Sequence, residues 1–491
     1  MSRHRRQRGG PTFARAATLL QITKLVEFPA VFLSSIVQAN VLPSRQYGQL
    51  VVDLSIAFIA ATVMSLGVEE SLQRALAANP RDRAIWTEAL ASRAFVGLAL
   101  TLLAGILLVC DQTSLAIVGC IVVANSIYDL VVAQTASLLR PAVPSIFNIA
   151  AVIAASSATL LVRPSSSISC LTITLIFSSL RTAGCVLLSC RLLKPVRLSF
   201  RDAVRMPNLA DRGWRPLVDL TVYRLTNNIL NRQGDLIIAG IVAVDKTSVG
   251  TYALAFSLTT AANTVFLTGI GSMTLTRFSA TYAESGKFEL GKSWQRMTYL
   301  TAFLSSWPLA ILIAIGPGLS VILFHGKYPG LALYLVLIGV VAWLGRISGG
   351  GANIAVLFTL RNEKLVRKVF LMAAAMNVAT DFVLMPLIGM YGAIVGTMIG
   401  TFFSSRFLNV QIRRRTRSSV EWSPLLLLSC LTAIVTAPVA LLHRSFTLSI
   451  CAVVVSLCLW ATFSWRSSIC PPEISSRVHD VFGKKSSVGT D

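Results

Sequence analysis

Charge is scarce in this chain. Asp, Glu, Lys and Arg make up 13% of its 491 residues while hydrophobic types make up 54%, whereas a soluble domain devotes about a quarter of its residues to charge. With a mean hydropathy of +0.69, the chain reads as an integral membrane protein, and nothing in it resembles a large soluble domain. Histidine is rarer still. His4, His325, His443 and His479 all fall outside the apolar runs, which excludes an intramembrane histidine relay and a His-rich metal site. The nine cysteines, among them Cys110, Cys120, Cys185 and Cys451, lack metal-ligand spacing and read as small packing residues. No cofactor, metal or catalytic group is expected.

Strict apolar/polar alternation over about ten residues, the mark of a barrel strand, is also missing. What is present instead is a series of apolar windows of about 20 residues, each long enough to cross a hydrocarbon core of about 30 Å as a helix. The fold class is therefore all-α and polytopic, with about fourteen transmembrane helices: 18–42, 48–68, 89–110, 114–138, 142–162, 168–190, 217–242, 250–272, 298–316, 330–358, 366–388, 390–411, 424–442 and 446–465. The N-terminal MSRHRRQR and the run that follows mimic a signal peptide. That run is too long, however, and contains Lys24 and Glu27, so it reads as a retained first helix.

The formal charge of +23 raises the question of nucleic acid, and its distribution answers it. Of the 44 Lys and Arg residues, thirty-two lie on the side of the spans that holds the N-terminus, counting Arg367 and Lys368 at the very start of span 366–388, seven lie deeper within spans, and five, Arg45, Arg163, Lys246, Lys327 and Arg444, lie on the other side. This is the positive-inside bias, and it predicts cytoplasmic termini. No basic segment is interleaved with stacking aromatics, so no nucleic-acid partner is expected. The basicity serves topology and attraction to anionic headgroups.

An internal repeat organises the spans. GQLVVDLSIAFIAATVMSLG (48–67) aligns without a gap on GTYALAFSLTTAANTVFLTG (250–269), with Gly48/Gly250, Ser55/Ser257, Ala60/Ala262, Thr62/Thr264, Val63/Val265 and Gly67/Gly269 identical. Six spans precede the basic connection 191–216 and six follow it, which suggests two pseudo-symmetric six-helix lobes around a cavity. The expected divisions are 1–212, an N-terminal lobe with its basic linker, 213–412, a C-terminal lobe, and 413–491, two added helices and a tail. The linker reads as an interfacial segment lying against headgroups, or as a latch between lobes.

Two spans carry polar stripes. In RLTNNILNRQGDLIIAG (224–240), a continuous helix puts Arg224, Asn228, Asn231 and Asp235 within about 60° of arc, with Asn227 and Arg232 at its flanks. In the first span Gln21, Lys24, Glu27, Ser34, Ser35 and Gln38 form a similar stripe. Turning so many charges to lipid costs about 2.5–3.5 kcal/mol each even on the mildest scale, so the stripes are expected to line a hydrated interior. Self-satisfied pairs Lys24/Glu27 and Arg232/Asp235 are the structural alternative. Arg224 argues against that alternative, because its own span offers no carboxylate at helical spacing except Asp219, near the membrane edge. Lys24 and Arg224 lie at similar depth, about 9–11 Å from the cytoplasmic end at 1.5 Å per residue, a seat for an anionic group. Arg93 and Arg406 are expected to snorkel and Asp53 to sit in the hydrated end of its span. Arg181, Arg346, Asp129 and Asp381 lie deeper, to line the cavity or pair with one another. GRISGGGAN (345–353) offers either a bending point or close packing by small residues.

VLPSRQYGQL, GDLIIAGIVAVDKTSVGTYALA and MNVATDFVLMPLIGMYGAIVGTMIG, in that order and spacing, resemble the bacterial oligosaccharide (polysaccharide) flippases, relatives of the multidrug and toxin extrusion antiporters and the lipid II flippases. The resemblance covers roughly residues 15–411. It departs at Gln46, where the family often has an acidic residue. It implies a two-lobed transporter of the bacterial cytoplasmic (inner) membrane, not an enzyme, that moves a polyprenyl-pyrophosphate-linked oligosaccharide by alternating access. The partners it implies are this lipid-linked substrate, membrane lipids and the polysaccharide polymerase and chain-length machinery. Lys24, Arg224 and Arg232 would then hold the pyrophosphate, Asn228 and Asn231 the sugars, and Glu27, Asp235 and Asp381 would couple transport to an ion gradient. Drug/cation antiport, lipid II transport and, from a different class, a membrane polysaccharide polymerase or glycosyltransferase are the rival readings. The last of these needs a carboxylate cluster on a large outward loop, and the outward loops here are short.

Overall fold

The structure, a computed structural model, describes residues 13–65, 82–138, 142–192, 214–267 and 270–421, with scattered positions at 68–76, 140 and 423–458. Most of the basic linker, Gly67 and Gly269 of the repeat, and nearly all of the last two expected spans lie outside the described residues.

Among the described residues every regular element is a helix. They are α1 (Phe13–Val41), α2 (Ser44–Ser65), α3 (Arg83–Val109), α4 (Thr113–Ser137), α5 (Ala142–Val162), α6 (Ser167–Leu192), α7 (Trp214–Ile229), α8 (Arg232–Ile241), α9 (Lys246–Leu267), α10 (Ile270–Phe324), α11 (Leu331–Ile347), α12 (Gly350–Thr359), α13 (Glu363–Ile388) and α14 (Met390–Thr416). Nine described segments are long and apolar enough to cross a membrane. Their outer faces stay apolar without protein cover: Leu98, Leu102 and Ile106 of α3, one helical turn apart, are 59%, 64% and 60% exposed. On a water-soluble molecule such a stripe would be an adhesive patch; against acyl chains it is the solvated face. The protein is a multi-pass α-helical membrane protein. Hydroxyls along these helices bond back to the preceding turn, as Ser55 does to Val51, Thr62 to Phe58 and Thr159 to Ala155, so they need no water at depth.

Two compact units, 1–253 and 254–491, divide the chain within α9. The first packs around Trp86, Ala89, Leu130, Val131 and Cys185, together with Val68, Leu72 and Leu76. Asp82 caps α3, accepting from the backbone of Ala84 and Ile85. Gln46 does the same service for another helix, its Oε1 accepting from the backbone N–H of Ser167 at the start of α6, 3.1 Å away. Gly48 and Gly250, paired in the internal repeat, meet one another here. A Cβ on Gly48 would collide with the Lys246 carbonyl, and one on Gly250 would press on Ser44 and Tyr47.

The expected seventh span is not one helix. It breaks between Ile229 and Arg232, where Asn231 takes an extended backbone (φ −100°, ψ −172°). Leu230 bonds to the Thr226 carbonyl at 2.9 Å and ends α7, the Asn231 amide donates to the Asn227 carbonyl, and Gly234 approaches the Ile229 carbonyl so closely that a Cβ would not fit. The single polar face drawn through residues 224–235 therefore does not exist.

In the second unit, α10 is interrupted at Gly286 (φ 79°). GRISGGGAN proves a bending point, for α11 ends at Ile347 and α12 restarts after Gly349, whose φ of 91° only glycine adopts without strain.

Candidate functional site

The first unit holds a cavity of about 490 Å³. Residues one turn apart supply its walls: Phe58, Ala61, Thr62 and Ser65 from α2, Asn125, Tyr128 and Asp129 from α4, and Tyr223, Arg224, Asn227 and Asn228 from α7, with Arg181 from α6.

Arg224 finds its counter-ion outside its own helix. It donates to Glu69, a buried residue just beyond α2, whose other carboxylate oxygen lies 3.6 Å from Arg93. Arg93 does not snorkel as expected. It is 2% exposed and donates to the Met64 and Ser65 carbonyls, which close the last turn of α2. A cation at the end of a helix complements its dipole. Arg93 thus joins α3, the end of α2 and Glu69, while Glu69 holds Arg224 at the cavity wall.

Arg181 anchors a second chain of contacts. Its guanidinium donates to Asn148 (2.7 Å) and Asn125 (2.6 Å) and lies over the Tyr128 ring, 3.9 Å from its centroid. Asn148 in turn donates to Glu27 (3.0 Å), whose second oxygen accepts from Lys24 (2.7 Å). Asn228 donates to Thr62 at 2.9 Å. Asp129 lines the cavity, within electrostatic range of Arg181, Arg224 and Glu69. Arg93, Arg181 and Arg224 face Glu69 and Asp129, a balance of one positive charge.

Of the residues singled out from sequence, Arg224 and Asn228 line this cavity, as do Asn227, Arg181 and Asp129. Lys24 and Glu27 form their i, i+3 pair and reach the cavity through Asn148 and Arg181. Asn231 and Arg232 fall beyond the helix break. Arg232 lies near Tyr47 and Tyr252, and the buried Asp235 accepts from the Tyr252 hydroxyl. In the second unit, Asp381 is fully buried beside Asn377, and a Cβ on Gly396 of α14 would strike both side chains. Asp53 is buried instead of hydrated, accepting from Gln49 (2.8 Å) and Ser114 (3.0 Å). Glu69, Asn125, Asn148 and Tyr128 went unrecognised in the sequence. Glu69 follows the apparent end of an apolar run and reads as loop, and the amides carry no spacing signal.

No group of His, Cys, Asp and Glu with metal-binding geometry occurs among the described residues. No family model matches the chain. No curated protein matches it either. Solved structures do. The lipid II flippase MurJ, in an inward closed conformation, superposes with a TM-score of 0.71 at 13% identity, over 91% of this chain and 99% of that one. An inward-facing multidrug resistance MATE family transporter of the MOP superfamily gives 0.55 at 11% identity, over 82% and 98%. A MOP superfamily transporter from Pyrococcus furiosus, described as having a binding pocket of reversed polarity, gives 0.57 at 11% identity, over 83% and 96%. At such identities the likeness is one of fold: this chain has the fold of the MOP superfamily transporters.

Proposed function

We propose that the protein is a flippase that carries a polyprenyl-pyrophosphate-linked oligosaccharide across the bacterial cytoplasmic membrane, for export as a surface polysaccharide. The observation that carries this reading is the arginine-lined cavity of the first unit. Arg224 and Arg181 present guanidinium groups to a space that also holds Asn125, Asn227 and Asn228, donors suited to phosphate oxygens and sugar hydroxyls. Lys24 extends the same polar chain through Glu27 and Asn148, and Arg232 would act from beyond the helix break. The lipid tail would remain among the acyl chains while the headgroup crosses.

Charge in the lining favours this reading over one rival within the fold. A drug/cation antiporter calls for a net acidic cavity, and here the arginines outnumber the carboxylates. A lipid II substrate is the second reading, favoured by the 0.71 TM-score over nearly the whole of the lipid II flippase. Cytoplasmic termini, supported by the basic bias, belong to the same proposal. So do the division at 212/213 into repeat-related lobes with an appendage after 412, alternating access between those lobes, ion coupling through Glu27, Asp235 and Asp381, and association with a polysaccharide polymerase.

Replacing Arg224 with Ala tests the reading. In a strain deleted for the gene, lipid-linked oligosaccharide is expected to accumulate on the cytoplasmic leaflet. The wild-type gene restores export; the variant, inserted at normal level, should lose about 100-fold in flipping, since losing a charge-assisted contact removes about 1.5–3 kcal/mol and a cavity neutralised by Glu69 loses more. Full export by the variant would refute the anion role.

A further inference from the structure

The second unit contains a different basic cavity, of about 560 Å³, at the C-terminal end of α14. Arg406, Asn409 and Arg413 recur along one face of that helix, and Arg414 and Arg417 complete the rim. Trp294 of α10, 1% exposed, forms the floor.

The floor is built and fixed. The Trp294 indole donates to Asn353 at 2.8 Å, and the amides of Asn353 and Asn409 both donate to the Ser348 carbonyl at 3.0 Å. The segment after α14 is strapped onto α10. The Tyr299 hydroxyl accepts from the Glu421 backbone N–H at 2.8 Å and donates to its carbonyl at 3.1 Å, and a Cβ on Gly291 would collide with Ser418. None of the four arginines forms an ion pair with a described residue. Asn409, 8% exposed, keeps a buried Oδ1 without a hydrogen-bond partner in the cavity wall.

A basic last turn alone would satisfy the helix dipole and the orientation of the chain. Neither requires a concave site with a buried indole floor and an unanswered amide oxygen. Four guanidinium forks gathered without a carboxylate suit the tetrahedral oxygens of phosphate, and a basic pocket between transmembrane helices at a membrane surface suits a phospholipid headgroup. The Asn409 oxygen would accept from a hydroxyl of that group.

We propose that this cavity binds a phosphate-bearing anion, supplied by an acidic phospholipid headgroup. The proposal is independent of the transport reading.

It is tested on the full chain purified in detergent, by native mass spectrometry with cardiolipin, with phosphatidylcholine, and separately with inorganic pyrophosphate. Wild type is expected to retain cardiolipin at least about tenfold better than phosphatidylcholine. The triple variant Arg413→Gln, Arg414→Gln, Arg417→Gln should lose that preference. A matched variant, Arg361→Gln, Lys364→Gln, Lys368→Gln, removes as much charge from exposed positions at the start of α13 and should keep it. Tight binding of pyrophosphate with no preference for cardiolipin would support the anion site and assign it a soluble ligand. Equal loss in both triple variants would reduce the effect to general surface charge and overturn the proposal. Wild type that prefers neither probe would overturn it too.

Discussion

In the first unit Arg93, Arg181 and Arg224 each meet a carboxylate, an amide or a carbonyl fixed by another helix. In the second, Arg406, Arg413, Arg414 and Arg417 share a cavity and pair with no described carboxylate. The contrast follows from environment. A buried guanidinium must bring its counter-charge with it, because desolvation otherwise outweighs every contact it makes. At an exposed helix end, cations can be left unanswered and so remain available to an anion from outside. Arginine clusters of the two kinds differ in what their removal should do, stability in one case and ligand retention in the other.

The largest effect is expected from Glu69→Gln. It strips the counter-charge from two arginines at once, and breaking a buried pair costs about 3–5 kcal/mol, which thermal unfolding in detergent would read as a large fall in melting temperature. An unchanged melting point would mean that the network is solvated and the contrast between the clusters false. Arg181→Met comes next: it keeps the side chain's bulk but removes charged hydrogen bonds to Asn125 and Asn148, a loss of about 1.5–3 kcal/mol. Smallest in stability should be the Arg413, Arg414 and Arg417 triple substitution, which leaves the melting temperature where it was. Salt sharpens the distinction further. Raising ionic strength from about 0.1 M to about 1 M shortens the screening length from about 10 Å to about 3 Å, so anion retention by the second cluster should fall steeply while the stability contributed by Glu69 hardly moves.

Much of the helix layout was legible, because the membrane fixes a length and forbids unpaired backbone; the described spans appear where apolar windows place them. The Lys24/Glu27 pair was legible too, being a local matter of helical spacing. What lay beyond reach was tertiary. Sequence depth alone assigned Arg93 to the headgroups and Asp53 to water, and only the packing of α2 against its neighbours shows both to be buried. Arg224 pairs with a residue 155 positions away, which no periodicity reveals. The break at Asn231 has a trace in the sequence, Gly234, but a glycine within a span serves a kink or a close helix contact alike. The repeat pointed at Gly48 and Gly250 without indicating that they touch.

Arg224 is held by Glu69, so a simple loss of activity in an Arg224 variant has two explanations. Flipping by the double variant Arg224→Gln, Glu69→Gln in proteoliposomes separates them, since that protein lacks both charges of the pair and leaves only Arg93 short of its carboxylate. If Arg224 holds the substrate's anionic group, melting temperature recovers relative to Glu69→Gln while flipping of the lipid-linked oligosaccharide stays at least about tenfold below wild type. Flipping at the wild-type rate in that double variant would contradict it.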